Sequence, residues 1–192
     1  MTFLGLPLVQ VLAAALMTIN VVVFALSIVS VFRKHEDTGA MLLALKAGAL
    51  LSAVSEVWAI IASREVGGFL AWLGVVMLGS SLALFFWAAS ASKRQLTLAY
   101  SGDIPVMVLE TGPYRWVRHP FYVSYLMTYS AGVMVSRNLL LLVVVAVMGA
   151  IYVHAARTEE AKFAQSPLAD AYASYRQRVG MFLPLVTLHR RR

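Results

Sequence analysis

The side chains best suited to chemistry begin in a twelve-residue stretch, TGPYRWVRHPFY at 111–122. Arg118 and His119 bring hydrogen-bond donors, and Pro120 stands where a helix would begin, because its missing N–H costs nothing at the first helical position. A helix N-terminus preceded by such donors suits an anion, since backbone N–H groups and the helix dipole point at the ligand. The stretch therefore predicts a pocket for an anionic group. The alternative interpretation is a positively charged loop beside a membrane helix.

A second polar stretch, Arg157-Thr158-Glu159-Glu160, follows two apolar segments that a turn at Arg137-Asn138 separates. If those segments form a helical hairpin, the two polar stretches meet at the same end of it. Their cationic and anionic halves suit a zwitterionic ligand with an aromatic part. Simple ion pairing between the halves is the alternative. The tyrosines expected to rim this site are Tyr114, Tyr122 and Tyr125.

Composition indicates a membrane protein. The 192 residues are 60% hydrophobic and 13% charged, with a mean hydropathy of +0.77, whereas soluble domains are about half apolar and about a quarter charged. The absence of cysteine excludes disulfides and thiolate chemistry. The net charge of +7 comes without a soluble basic face, so we expect no nucleic-acid partner. No cluster has the spacing of metal ligands, so we expect no metal.

Five apolar segments lie within 4–32 and at 41–62, 66–91, 121–136 and 138–156. A helix of about 20 residues crosses the bilayer core. We therefore expect an all-α polytopic bundle of about five transmembrane helices, the last two forming a hairpin, with a helical tail after them. The chain is expected to be a single domain over 1–192, with three spans in 1–92 and the polar loop, hairpin and tail in 93–192.

Basic residues are distributed unevenly between the connecting segments, thirteen on one side of the predicted membrane and two on the other. The positive-inside rule then places the N-terminus outside, and the C-terminus and both polar stretches in the cytoplasm. Two ionisable residues lie within the second span. Lys46 is expected to extend to the membrane surface, whereas Glu56 is expected to be protonated, paired with Arg64, or functional.

The chain resembles the isoprenylcysteine carboxyl methyltransferase family and the related phospholipid methyltransferases in a motif of two parts. The first part is Gly112-Pro113-Tyr114-Arg115 with Arg118-His119-Pro120 and Tyr122, and the second is Arg157-Thr158-Glu159-Glu160. The resemblance implies an integral membrane enzyme that uses S-adenosylmethionine from the cytosol. The cofactor contacts that it implies are Tyr114, Arg118, His119, Pro120, Tyr122, Glu159 and Glu160.

Because the sequence shows no soluble substrate domain, we expect a lipophilic acceptor that enters between helices, and two acceptor chemistries stay open. For carboxyl O-methylation of an isoprenylcysteine-like substrate, which we expect first, Arg157 or else Arg115 would orient the carboxylate as the catalytic residue. For N-methylation of a phospholipid amine, Glu159, Glu160 or His154 would serve as the base. A third alternative is a non-catalytic membrane module that binds anionic lipid.

Overall fold

The computed structural model describes residues 2–3, 6–30, 40–64, 66–92 and 107–185, with side chains over 6–27, 47–64, 66–92 and 107–185. Two short strands, β1 and β2, pair antiparallel before the first helix, and a 3₁₀ turn precedes the fourth. The elements within these residues are β1 (Thr2–Phe3), β2 (Leu6–Pro7), α1 (Leu8–Ser30), α2 (Ala40–Ala62), α3 (Gly68–Ser92), the 3₁₀ turn (Gly112–Arg115), α4 (Pro120–Ser136), α5 (Leu141–Ala164) and α6 (Ala169–Arg178).

The predicted all-α helix bundle is confirmed, since each of the five apolar segments forms a helix. Helix α5 continues past the apolar segment to Ala164, as expected of a helical tail that begins as a continuation of the fifth helix. Glu159 and Glu160 are therefore held on the helix itself. Their spacing from α4 is fixed by the packing of the hairpin.

Three helices among the described residues are long and apolar enough to cross a membrane: Leu8–Ser27, Gly68–Ser92 and Leu141–Ala164. The described apolar part of α2, Ala47–Ala62, is shorter, and α4 has 17 residues. The chain is thus a membrane protein, and five crossings with the N-terminus outside stay a prediction. The side chains of Lys46, Lys93 and the terminal arginines, on which part of that prediction rests, lie outside the described residues.

Close packing of α3 against α4 forms the centre of the bundle. At Gly74, a Cβ atom would lie 2.6 Å from Val135 Cγ2, so only glycine permits this approach. Nearby, the Ser81 hydroxyl donates to the Ser124 carbonyl over 2.7 Å, and Asn20 Oδ1 lies 3.1 Å from the same hydroxyl. This buried network ties α1, α3 and α4 together with polar groups that have partners.

The turn between α4 and α5 makes them antiparallel neighbours. Arg137 takes the left-handed conformation (φ 54°) that ends α4, and its guanidinium donates to the Gly67 carbonyl over 2.9 Å. The Asn138 side chain accepts from the Leu140 N–H over 3.1 Å. The N-terminus of α4 therefore lies beside the C-terminal part of α5, as the site requires.

Candidate active site

The first polar motif is anchored on the end of α3. Gly112 has φ 59°, a conformation that favours glycine, and a Cβ atom there would lie 2.9 Å from the Ala91 Cβ. The 3₁₀ turn that follows closes with the Tyr114 N–H donating to the Thr111 carbonyl over 3.2 Å. As a result, the Tyr114 side chain is buried, with 4% of its surface exposed.

The segment after α6 pairs with the same motif. Val117 and Gly180 form an isolated parallel bridge. The Arg118 N–H donates to the Gly180 carbonyl over 2.8 Å, and the His119 N–H donates to the Met181 carbonyl over 3.1 Å. These bonds satisfy backbone donors just before α4 and hold the tail against the site.

Arg118 connects α5 to the tail. Its Nε donates to Glu160 Oε1 over 2.9 Å, and both side chains are buried. Its Nη1 donates to the Val179 carbonyl and, over 3.3 Å, to the Arg176 carbonyl. A guanidinium presents several donors in one plane, and here it joins three segments at once.

His119 lies between two carboxylates. Its Nε2 is 3.0 Å from Glu160 Oε1, and its Nδ1 is 3.2 Å from Glu159 Oε2. Because ionised carboxylates only accept hydrogen bonds, both ring nitrogens must donate, which requires the imidazolium. Burial lowers the pKa of His119, but the hydrogen bonds and charges of Glu159 and Glu160 outweigh burial and raise it above 6.5. Two cations and two anions thus form one compact neutral cluster, the charge cluster: Arg118, His119, Glu159 and Glu160.

Tyrosines line the side of this cluster that faces the helix bundle. The Tyr122 hydroxyl donates to Glu159 Oε1 over 2.6 Å. Its ring stacks on that of Tyr152, with centroids 5.1 Å apart and planes 13° apart, and lies 6.2 Å from the ring of Tyr125. The anionic end of the site therefore continues into an aromatic wall.

A cleft opens beside the charge cluster, between the end of the α3–α4 connection, α5 and α6. Tyr114 is one of the residues that line it, and the buried hydroxyl of Tyr114 has no hydrogen-bond partner among the described residues. Burial, with a further contribution from the charge on Glu159, raises the pKa of Tyr114 well above 10, so this hydroxyl is a neutral donor. The cleft is lined by Met107, Val108, Leu109, Tyr114, Arg118, His119, Pro120, Phe121, Tyr122, Glu159, Phe163, Tyr172 and Tyr175.

Comparison with protein families matches residues 69–170 to the family described as phospholipid methyltransferase. The matched stretch is more than half of the chain and contains both parts of the motif. The chain belongs to the phospholipid methyltransferase family. No curated protein and no solved structure matches it.

Membership in the phospholipid methyltransferase family confirms the resemblance that the two motifs carry. The match runs from the start of α3 through the charge cluster, yet it ends before most of α6. Tyr172, Tyr175 and the carbonyl of Val179, which complete the site, therefore lie beyond it. The sequence did not predict the role of the Val179 carbonyl, because a backbone carbonyl leaves no signature in the sequence.

Six of the seven predicted cofactor residues line the cleft: Tyr114, Arg118, His119, Pro120, Tyr122 and Glu159. Glu160 lies behind them, bound to Arg118 and His119. The two predicted catalytic arginines are placed differently, since Arg115 and Arg157 are exposed and neither is among the lining residues. His154 is also exposed. The roles assigned to these three residues stay predictions.

Proposed function

We propose that this protein transfers a methyl group from S-adenosylmethionine to an acceptor that reaches the cleft from the bilayer. The observation that carries the proposal is the charge cluster, which faces the cleft in a chain of a membrane methyltransferase family. It joins α4 to α5 through contacts of 2.9–3.2 Å. The alternative is that the two motifs only form ion pairs with each other, which also accounts for these contacts. Binding of the cofactor must therefore be tested directly.

The residues fit the cofactor chemically. Its amino-acid part carries one carboxylate and one ammonium, so it can exchange contacts with the neutral charge cluster without adding net charge. The His119 side chain and the N-terminus of α4 suit the carboxylate, and Glu159 suits the ammonium or the ribose hydroxyls. The unpartnered Tyr114 hydroxyl offers a further donor. A ligand that accepts from it removes the cost of a buried unsatisfied group.

For the acceptor, the contacts favour an amine, in line with the description of the family. Both cations that line the cleft, Arg118 and His119, are already paired with carboxylates. The arginines expected to orient an acceptor carboxylate are exposed and lie outside the lining. Glu159, with the aromatic wall beside it, instead suits a cation. The first candidate is therefore N-methylation of a phospholipid amine.

When bound, the cofactor would supply an electrophilic methyl group on a sulfonium, whose S–C bond breaks as the acceptor nitrogen bonds to the methyl carbon, leaving a neutral thioether. Glu159 removes a proton from the acceptor ammonium, so that the nitrogen lone pair becomes available, and Tyr122 holds the carboxylate through the bond of 2.6 Å. His119 fixes the other oxygen of Glu159 over 3.2 Å. The proton leaves to water, since 23% of the Glu159 side chain is exposed. Positioning and exclusion of bulk water supply the remainder of the catalysis.

Carboxyl O-methylation is the second candidate, and one observation favours it. Arg157 lies three residues before Glu160 on α5, so the two share a helix face. From that exposed position its long side chain can meet a carboxylate that approaches the cluster from outside. An isoprenylcysteine-like acceptor then needs no base, because the carboxylate is already the nucleophile.

The test supplies methyl-labelled cofactor to the purified protein in lipid nanodiscs, with phosphatidylethanolamine or a prenylated cysteine analogue as acceptor. Base-stable label on the lipid amine is the expected result, undiminished in Arg157→Ala. Base-labile label on the cysteine analogue, lost in Arg157→Ala, would replace the first candidate by the second. Arg178→Ala serves as the matched control for removal of an exposed arginine, because Arg178 is 62% exposed and pairs with Glu110 instead of the cluster.

Calorimetry with the demethylated product, S-adenosylhomocysteine, tests the cofactor itself. Binding is expected in the wild type and is expected to weaken strongly in His119→Ala. No heat in either protein, with lipid binding that falls steeply as salt rises, would identify a non-catalytic module for anionic lipid and overturn the proposal.

A further inference from the structure

Glu56 is a buried acid that the proposed reaction does not use. None of its surface is exposed, and neither of its carboxylate oxygens has a hydrogen-bond partner among the described residues. The pairing with Arg64 that the sequence allowed is therefore not observed. An ionised carboxylate without a partner inside a helix bundle is strongly unfavourable, so this arrangement requires the neutral acid.

The side chain of Glu56 fills a gap that Gly132 leaves in α4. A Cβ atom at Gly132 would overlap Glu56 Oε2, and it would lie 2.6 Å from Glu56 Cδ and 3.2 Å from Met17 Cε. Glu56 comes from α2 and Met17 from α1. Three helices therefore meet at this point, and the fit leaves no room for a larger residue.

Gly132 shares a face of α4 with residues of the site. Tyr129, Tyr125 and Tyr122 precede it by 3, 7 and 10 positions, which are the intervals of one helical face. Tyr122 holds Glu159, and His119 stands at the start of the same helix. About 15 Å of helix thus separates the Glu56 contact from Tyr122, which holds Glu159 of the charge cluster. A displacement of α4 at Gly132 would also move the residues that hold Glu159.

We propose that neutral Glu56 is a positioning residue that fixes α4 against α2, and that its ionisation displaces α4 and disorders the site. The part of this inference that concerns methyl transfer rests on the proposed function. Among the described residues, the titratable group that interacts with Glu56 is Tyr129 on α4, whose hydroxyl lies 3.4 Å from that of Tyr152 on α5. The side chains described in α1, over 8–27, include no charged group. None of these groups supplies a positive charge that would stabilise the anion.

The chain contains no cysteine, so two introduced cysteines can be labelled alone. Spin labels at Arg64→Cys and Leu139→Cys, both exposed positions just beyond the ends of α2 and α4, report the distance between these helices without any need for activity. We expect a narrow distance distribution at about pH 6.5 and a broadened one at about pH 9.5, once the acid ionises. Glu56→Gln, which keeps the shape but cannot ionise, should stay narrow at both. The same change of the distance distribution with pH in the wild type and in Glu56→Gln, or no change in either, would overturn the proposal.

Gly132→Ala provides a second test that does not depend on pH. It should broaden the distribution already at neutral pH and weaken binding of S-adenosylhomocysteine by about ten-fold or more, since a misplacement of about 1 Å can cost about 100-fold. Adding Glu56→Ala removes the clash and should restore part of the loss. Gly79→Ala on α3 is the matched control, because a Cβ there would meet nothing within 4 Å. Identical behaviour of the two alanine variants would also overturn the proposal.

Activity completes the test and separates the two proposals. Methyl transfer by the wild type should fall at alkaline pH through kcat more than through KM. The fall should be smaller in Glu56→Gln, because loss of the His119 charge is common to both proteins and only the wild type also ionises Glu56. If no cofactor binds but the label distances respond as expected, the proposed function fails and the positioning role of Glu56 stands. If the cofactor binds and the label distances do not respond to pH, the positioning role of Glu56 fails and the proposed function stands.

Discussion

Two regions of the molecule bury carboxyl groups in opposite ways. In the charge cluster, Glu160 is 7% exposed and contacts both Arg118 and His119 at about 3 Å. In the bundle, Glu56 is fully buried and has no hydrogen-bond partner within the described residues. The first acid is held as an anion by its partners, whereas the second is tolerated only as a neutral group.

The difference follows from the hydrogen-bond donors that surround each acid. The N-terminus of α4 and the tail bring donors to the cleft, so that buried charges are stabilised there and are ready to meet a charged ligand. Around Glu56, the described residues of α1, α2 and α4 offer no hydrogen-bond partner. A buried anion is therefore a feature of the site, and a buried neutral acid is a feature of packing.

The largest effect is expected from Glu160→Gln. The variant removes the shared partner of Arg118 and His119, leaving buried cations uncompensated, and removal of one member of a buried pair costs about 3–5 kcal/mol. Thermal unfolding in detergent should show this loss, together with loss of cofactor binding. Glu56→Gln is the matched control, with little expected change at neutral pH. Similar destabilisation by both would erase the contrast between the two regions.

The next effect concerns His119, and it depends on pH. Its pKa is raised in the folded protein, so its contribution is fully present below about pH 6.5 and is lost as the pH rises through the folded-state value. The difference in unfolding free energy between the wild type and His119→Gln should be about 1.5–3 kcal/mol at low pH and should shrink at alkaline pH. Because both proteins contain Glu56, its titration cancels from the difference. A difference that grows with pH would contradict the imidazolium assignment.

Tyr114→Phe is expected to act with opposite signs on stability and binding. Removing a buried hydroxyl without a partner should leave stability unchanged or raise it slightly. The same change should weaken binding of S-adenosylhomocysteine by about 1 kcal/mol, the net contribution of a neutral hydrogen bond. Unfolding and calorimetry on the same preparations check this. Lower stability with unaltered binding would show that the hydroxyl has a structural partner instead.

The smallest effect is expected for the exposed pair between Arg178 and Glu110, whose Nη2 and Oε2 atoms are 3.1 Å apart. The side chains are 62% and 42% exposed, so solvent screens the attraction and Arg178→Ala should change stability by less than about 1 kcal/mol. Unfolding measured at low and high salt should give nearly the same value. A loss of stability as large as that of Glu160→Gln would mean that exposed and buried ion pairs contribute equally in this protein.

The sequence by itself determined the fold class, the family and the residues of the charge cluster. Apolar segments of membrane length permit little other than helices, because every backbone polar group must be satisfied within the segment. The Arg-His-Pro motif and the paired glutamates are local patterns, and a short turn between two helices brings them together. For these features, composition and spacing carry the information.

Only the tertiary structure decided which predicted residues reach the cleft and what completes it. Arg115 and Arg157 belong to the motifs by sequence, yet local backbone geometry turns both outward. The Val179 carbonyl approaches Arg118 because the tail folds back on the motif, a contact between positions 61 residues apart. The fit of Glu56 against Gly132 likewise depends on how α2 and α4 pack. Such contacts depend on side-chain volume and backbone position across several helices, which no pattern along one chain specifies.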